Sequence, residues 1–111
     1  MNISYKTNKL EKLLDGPVAI KKNFGINAKR VAQRLDDIGS APNLKVLCSI
    51  PQARCHPLSG NRDGKWAVDI SANHRLIFII DHDPIPLNDD GTINRILVTD
   101  IQIISAQEDY H

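Results

Sequence analysis

No stretch of the chain approaches the roughly 20 consecutive apolar residues that cross a bilayer, so a membrane-spanning helix is excluded. Cysteine is nearly missing, with Cys48 and Cys55 the two examples. The first residues, Met1 to Lys12, are polar, with neither an apolar core nor a small-residue cleavage site. A secretion signal is therefore not expected. The expectation is a cytoplasmic protein whose two cysteines are reduced thiols rather than a disulfide. Internal repeats, low-complexity tracts and linkers are also missing. Net charge is close to absent, at +1, and taken alone says nothing about nucleic acid.

What is present is an ordinary globular composition, 41% hydrophobic and 24% charged, in 111 residues. That length suits one domain spanning 1–111, with enough chain to bury most of its apolar surface without staples. The charge is unevenly placed. Residues 1–75 carry 13 Lys/Arg against 6 Asp/Glu, whereas residues 76–111 carry Arg95 against 7 acidic residues. Such asymmetry fits a basic surface suited to phosphates and a separate acidic one, and equally two solvated faces.

The patterning predicts an α+β fold. Ile3 to Tyr5 reads as a short strand. Asn8 to Leu14 is helix-like and stops at the breaker cluster Asp15-Gly16-Pro17. Ile20, Phe24, Ala28, Val31, Ala32, Leu35 and Ile38 form an apolar stripe at helical spacing. Gly25 and Asn27 suggest a break in that helix, and Gly39 its end. Lys22, Lys29, Arg30 and Arg34 fall off the stripe, on the side expected to be exposed together with Asp36 and Asp37. Leu44 to Ile50 fits one helical turn or a buried strand. Lys65 to Ser71 alternates, with Trp66, Val68 and Ile70 on one face. Ala72-Asn73 makes a plausible hairpin turn before the apolar run Leu76 to Ile80, which reads as a central strand. Residues 81–91 form an acidic loop, and Arg95 to Ser105 reads as a final strand. Ala106 to His111 is polar, the kind of end that usually frays. Helices must then cover one face of a largely antiparallel sheet.

Three places carry candidate chemistry: Arg54 to Leu58, Gly60 to Trp66 with Arg75 one strand later, and Asp109-Tyr110-His111. Cutting RNA through the 2′-hydroxyl requires a base to take its proton and an acid to protonate the leaving oxygen. It also requires cations at the phosphate. Histidine titrates near neutrality and fills either proton-transfer role. Tyrosine stacks on an unpaired base or relays a proton. His56, His111, Arg62, Lys65, Arg75 and Tyr110 would suffice if they converge, without metal or other cofactor. Each also has a plain reading as a surface or turn residue, and Trp66, in phase with Val68 and Ile70, suits the core better than a stacking platform. A zinc site from Cys48, Cys55, His56 and His74 matches no paired-ligand spacing. Gly60 to Gly64 lacks the ending of a phosphate loop.

The set His56-Pro57-Leu58-Ser59-Gly60, Arg62, Gly64, Trp66, then Arg75-Leu76-Ile77-Phe78 and the ending Asp109-Tyr110-His111 resembles the HigB-type plasmid-maintenance killer proteins of the RelE/ParE toxin superfamily. Asn8 to Leu13 and the long helix share in the resemblance, which spans nearly the whole chain. It implies two N-terminal helices packed on a curved, mainly antiparallel sheet of four to five strands. It implies ribosome-dependent cleavage of mRNA, with His56, Asp109, Tyr110 and His111 catalytic and Arg62, Lys65 and Arg75 facing RNA or ribosome. It also implies a cognate helix-turn-helix antitoxin and a toxin–antitoxin hetero-oligomer. The chain departs from the family pattern in Asp69, where a basic residue is frequent, and in the longer, more acidic loop at 81–91. Those departures motivate a different reading, a non-catalytic or gyrase-directed relative that acts through protein–protein binding. A generic nucleic-acid-binding domain is the third, motivated by the basic first 75 residues.

Overall fold

The computed structural model describes residues 1–59 and 64–109, the last of these by its backbone alone. The short strand β1 (Asn2–Tyr5) leads into α1 (Asn8–Leu13), whose first turn is capped by the Thr7 side chain accepting from the Leu10 amide at 3.1 Å. The breaker cluster ends α1 and opens the next helix at once: α2 runs Gly16–Phe24, with Gly16 at φ +88° and Pro17 in its first turn. The break expected within the apolar stripe is present. Gly25 sits at φ +54° and starts a single 3₁₀ turn, Gly25–Asn27, before α3 (Ala28–Ser40). Gly39 does not end α3. The helix continues to Ser40 and stops where Ala41, forced out of the helical region by Pro42, turns extended.

Leu44 to Ile50 resolves as a short helix, α4 (Leu44–Cys48), with Asn43 accepting from the Val46 amide at 3.0 Å. A 3₁₀ turn at Pro51–Ala53 then leads into β2 (His56–Pro57). The hairpin of β3 (Lys65–Asp69) and β4 (His74–Ile80) turns through residues 70–73, as the sequence indicates. The last strand, β5, is Asp100–Asp109.

The sheet has five strands in the order β1-β5-β4-β3-β2. β1 runs parallel to β5, and the other pairings are antiparallel. A register irregularity in the β4–β5 pairing, between Arg75 and Phe78, marks a bulge that adds bend and twist there. β4 is the middle strand, and the apolar run Leu76 to Phe78 is completely buried. Trp66, Val68, Ile70, Leu76, Phe78, Ile101, Ile103 and Ala106 pack with Leu10, Ile20, Val31, Ile38, Leu44 and Leu47 in one hydrophobic cluster. Full burial of a side chain such as Phe78 or Ile38 contributes about 1.5–3 kcal/mol. This is the α+β arrangement expected, two layers with the helices on one sheet face.

Three further expectations need correction. Arg95 to Leu97 is a 3₁₀ turn, and Ile96 and Leu97 are more than half exposed. The stretch at 98–100 is tied down by other partners than a ladder. The Val98 carbonyl accepts from Leu44, and the His82 ring nitrogen Nε2 accepts from the Thr99 and Asp100 amides. Conversely, Ala106 to Asp109 is strand, with Ala106 buried and Asp109 paired with His74. Finally, Arg34 is 9% exposed and joins α3 to the sheet. Its Nε donates to the Asp69 carbonyl at 2.6 Å and its Nη1 meets the Asp37 carboxylate at 2.9 Å. No helix of the described residues is long and apolar enough to cross a membrane.

Candidate functional site

Register decides which candidate side chains share a surface. Directly opposed residues of an antiparallel pair project to the same face, and alternate residues along a strand do so as well. Trp66 opposes Phe78 and Val68 opposes Leu76, all in the core cluster beneath the helices. The intervening pairs Lys65–Ile79, Ala67–Ile77 and Asp69–Arg75 therefore project from the other face. His56 opposes Ala67, and Glu108 opposes Arg75, so both join that face. Of the residues the sequence singles out, the fold brings His56, Lys65 and Arg75 to one surface. Arg62, Tyr110 and His111 lie outside the described residues. Asp109 is placed by its backbone next to His74, at the Arg75 end of the hairpin.

His56 is held by the chain immediately before it. Arg54 takes the left-handed conformation, φ 45°, at the end of the 3₁₀ turn, and its carbonyl lies 2.7 Å from His56 Nδ1. A carbonyl oxygen only accepts, so Nδ1 carries the proton. In the neutral ring Nε2 is then left with its lone pair, the state a general base needs. The left-handed residue sets this geometry, and a non-glycine residue there is uncommon enough to mark the turn.

The charges on this face are arranged in opposed pairs. Arg54 Nη1 is 3.4 Å from Asp69 Oδ2, and Arg75 Nη2 is 3.8 Å from Glu108 Oε1. Arg54 is largely exposed, whereas Asp69, Arg75 and Glu108 are mostly covered. The departure at Asp69 is thereby given a structural role. Its carboxylate faces Arg54, and its carbonyl receives Arg34 from α3. Arg30, Arg34, Gln52, Arg54, Asp69 and Ser71 line an open cleft of about 390 Å³ beside it. The acidic loop starts at the Ile80 end of β4, roughly 17 Å along the strand from Arg75 at ~3.4 Å per residue. Its exposed Asp90 accepts from the Thr92 hydroxyl and amide, which holds the carboxyl below its ordinary value.

Sequence reasoning missed Arg34, and it included Arg54 in a candidate segment without its role. Arg34 falls outside the apolar stripe and so reads as a solvent residue, whereas its side chain is covered. Arg54 stood beside His56, but only the turn shows its carbonyl as the histidine's partner. Among the described residues, no group of three or more His, Cys, Asp or Glu is placed to hold a metal ion, so Cys48, Cys55, His56 and His74 do not assemble into one.

No protein-family model matches the sequence, and no curated protein matches it. Solved structures do match in shape. A YoeB/ParE toxin from Agrobacterium tumefaciens aligns over 99% of this chain and 100% of its own, with a TM-score of 0.54 at 13% identity. The YoeB dimer from Staphylococcus aureus aligns over 99% of this chain and 98% of its own, with a TM-score of 0.52 at 18% identity. The chain shares the fold of the YoeB/ParE toxins.

Proposed function

We propose that this chain is the toxin of a type II toxin–antitoxin pair, an endoribonuclease that cleaves mRNA on the ribosome by acid–base chemistry of its own side chains. The observation that carries the reading is His56, with Nδ1 committed to the Arg54 carbonyl and Nε2 available, on the same sheet face as Lys65 and Arg75. The toxin fold of the solved relatives supports it. In the reaction, His56 takes the proton of the 2′-hydroxyl. That oxygen attacks phosphorus, and His111 protonates the departing 5′-oxygen. Tyr110 stacks on the base beside the cut, and Asp109 orients its neighbours. Lys65, Arg62 and Arg75 stabilise the charge gathering on the phosphoryl oxygens. A helix-turn-helix antitoxin, encoded with it, would cover this face in a hetero-oligomer in the cytoplasm.

Inducing the protein in a bacterial host and mapping 5′ ends of cellular transcripts tests the reading. New ends inside translated regions are expected; arrest of growth without them would sink it. A second reading has one observation in its favour. Arg54 and Arg75 already face carboxylates, which lowers the net positive charge offered to RNA. A protein that acts by binding another protein, gyrase included, would tolerate that. The salt dependence of binding separates the two. Each phosphate contact contributes close to one unit to the slope of log K against log salt. Lys65→Ala should therefore weaken RNA binding uniformly across sequences and flatten that slope by about 1. A slope unchanged by the substitution would remove Lys65 from the interface.

A further inference from the structure

Two surfaces of opposite charge lie at the two ends of β5, and neither has a part in the reaction above. The first is a groove between α2 and α3. Pro17, Ile20, Ile26 and Ala32 line it together with the exposed Lys21 and Lys29, around an open volume of about 370 Å³. Ile26, on the 3₁₀ turn that joins the two helices, is 98% exposed. No carboxylate is among the residues lining the groove. The second surface is the loop at 81–91. Asp81, Asp83, Asp89 and Asp90 are exposed on it, as are Ile85 and Leu87, and it contains no Lys or Arg. Its tip is already shaped. Leu87 and Ile93 pair as an isolated antiparallel bridge. The Asn88 amide donates to the Thr92 carbonyl at 2.7 Å, and the Asn94 amide to the Pro86 carbonyl at 2.9 Å. Apolar surface left in water and rimmed by charge marks a contact with another protein. A segment that is ordered beforehand loses little freedom when it docks.

We propose that the 81–91 loop of one copy of this chain seats in the α2–α3 groove of a second copy, Ile85 and Leu87 meeting Pro17, Ile20 and Ile26 while the aspartates meet Lys21 and Lys29.

The placement of the two surfaces makes the contact intermolecular. Asn27, next to Ile26, donates through Nδ2 to Gln107 Oε1 at 3.2 Å, which sets the groove at the later end of β5. The loop leaves from the opposite end, where the Asp81 amide donates to the Asp100 carbonyl at 3.0 Å. Asp100 and Gln107 stand about 24 Å apart along the strand at ~3.4 Å per residue. The loop is held at its own end by the His82 ring and by the bridge at its tip, so it meets the groove of another copy and not its own.

Charge fixes the way the copies pair. Groove against groove would oppose lysines, and loop against loop would oppose aspartates; both are disfavoured. Loop into groove pairs opposite signs. The two sides of the contact are different surfaces, so it is heterologous, and every pair keeps one free loop and one free groove for further copies. The uneven charge of the sequence, basic over residues 1–75 and acidic beyond, is what such a contact requires. The proposal does not rest on the function proposed above.

Sedimentation velocity on the full chain, over a concentration series at low and high salt, tests it. The intact protein should grow past the dimer as concentration rises, and added salt should shrink the assemblies. A loop variant, Ile85→Ser/Leu87→Ser, and a groove variant, Ile26→Glu/Lys29→Glu, should each stay monomeric. All four replaced side chains belong to exposed residues, and circular dichroism confirms that the variants fold. Mixed in equal amounts, the two variants should form dimers and stop there, because one live groove then meets one live loop. Exchanging the charges gives a second reading. Lys21→Glu/Lys29→Glu should abolish assembly, and adding Asp83→Lys/Asp89→Lys to the same chain should restore it. An intact chain that stays monomeric at every concentration would overturn the proposal and leave the groove to an acidic segment of a different protein. So would a closed dimer that both variants retain, or a mixture no larger than its separate parts.

Discussion

His56→Ala is expected to lower mRNA cleavage by about 10²- to 10⁴-fold, the range that a positioned proton-transfer group contributes. The substitution should spare the fold, because His56 is only half-buried on a two-residue strand and its ring bonds a carbonyl two residues away. Primer extension on a ribosome-bound message, with circular dichroism as the control for folding, reads both parts. His56→Gln separates two roles. Glutamine can keep a hydrogen bond to the Arg54 carbonyl but cannot shuttle a proton at neutral pH. If His56→Gln cleaves as well as the intact protein while His56→Ala does not, the residue positions the loop and the base must be sought elsewhere. If both fail alike, proton transfer is its role. Cleavage at full rate in both would remove His56 from the reaction.

The largest stability effect outside the hydrophobic cluster is expected at Arg34. Its guanidinium bonds the Asp69 carbonyl and the Asp37 carboxylate, and the Arg34 and Asp37 side chains are 11% and 13% exposed. Arg34→Met keeps most of the stem volume but removes the charge. It leaves Asp37 nearly covered without its cation, and the Asp69 carbonyl without this donor. Removing one partner of a buried pair costs about 3–5 kcal/mol, and the residual exposure here places the loss near the lower bound. Urea unfolding should show the midpoint fall with the slope unchanged. The double variant Arg34→Met/Asp37→Leu should recover much of the loss, because no uncompensated carboxylate remains. A single variant as stable as the intact protein would show that Arg34 does not bind α3 to β3.

The residues that were legible in the sequence share one property: their pattern had a single physical meaning. Trp66, Val68 and Ile70 alternate and form one buried face, and Leu76 to Ile80 is continuous because β4 lies between two strands. Gly25 and Asn27, set within an apolar stripe, suggest a break, and the chain turns there. The misread positions are those whose meaning depends on a distant partner. Ile96 and Leu97 look like strand residues, but the segment is fastened at Val98 by Leu44 and at Thr99 by His82. Arg34 looks like a solvent residue until β3 lies beneath it. At the candidate site, residue types and order pointed to His56, Lys65 and Arg75. Their common face follows only from a register that sequence spacing does not contain.

The parallel pairing of β1 with β5 has a consequence for biosynthesis. Asn2 and Asp100, joined at 2.6 Å through their side chains, stand 98 residues apart, so the first strand made has no sheet neighbour until the last is synthesised. Completion of the sheet must wait until β5 has been synthesised. The edge strand β1 therefore stays without a sheet partner through the synthesis of every other strand, and its only sheet neighbour among the described residues, β5, is the last strand of the described fold to be made.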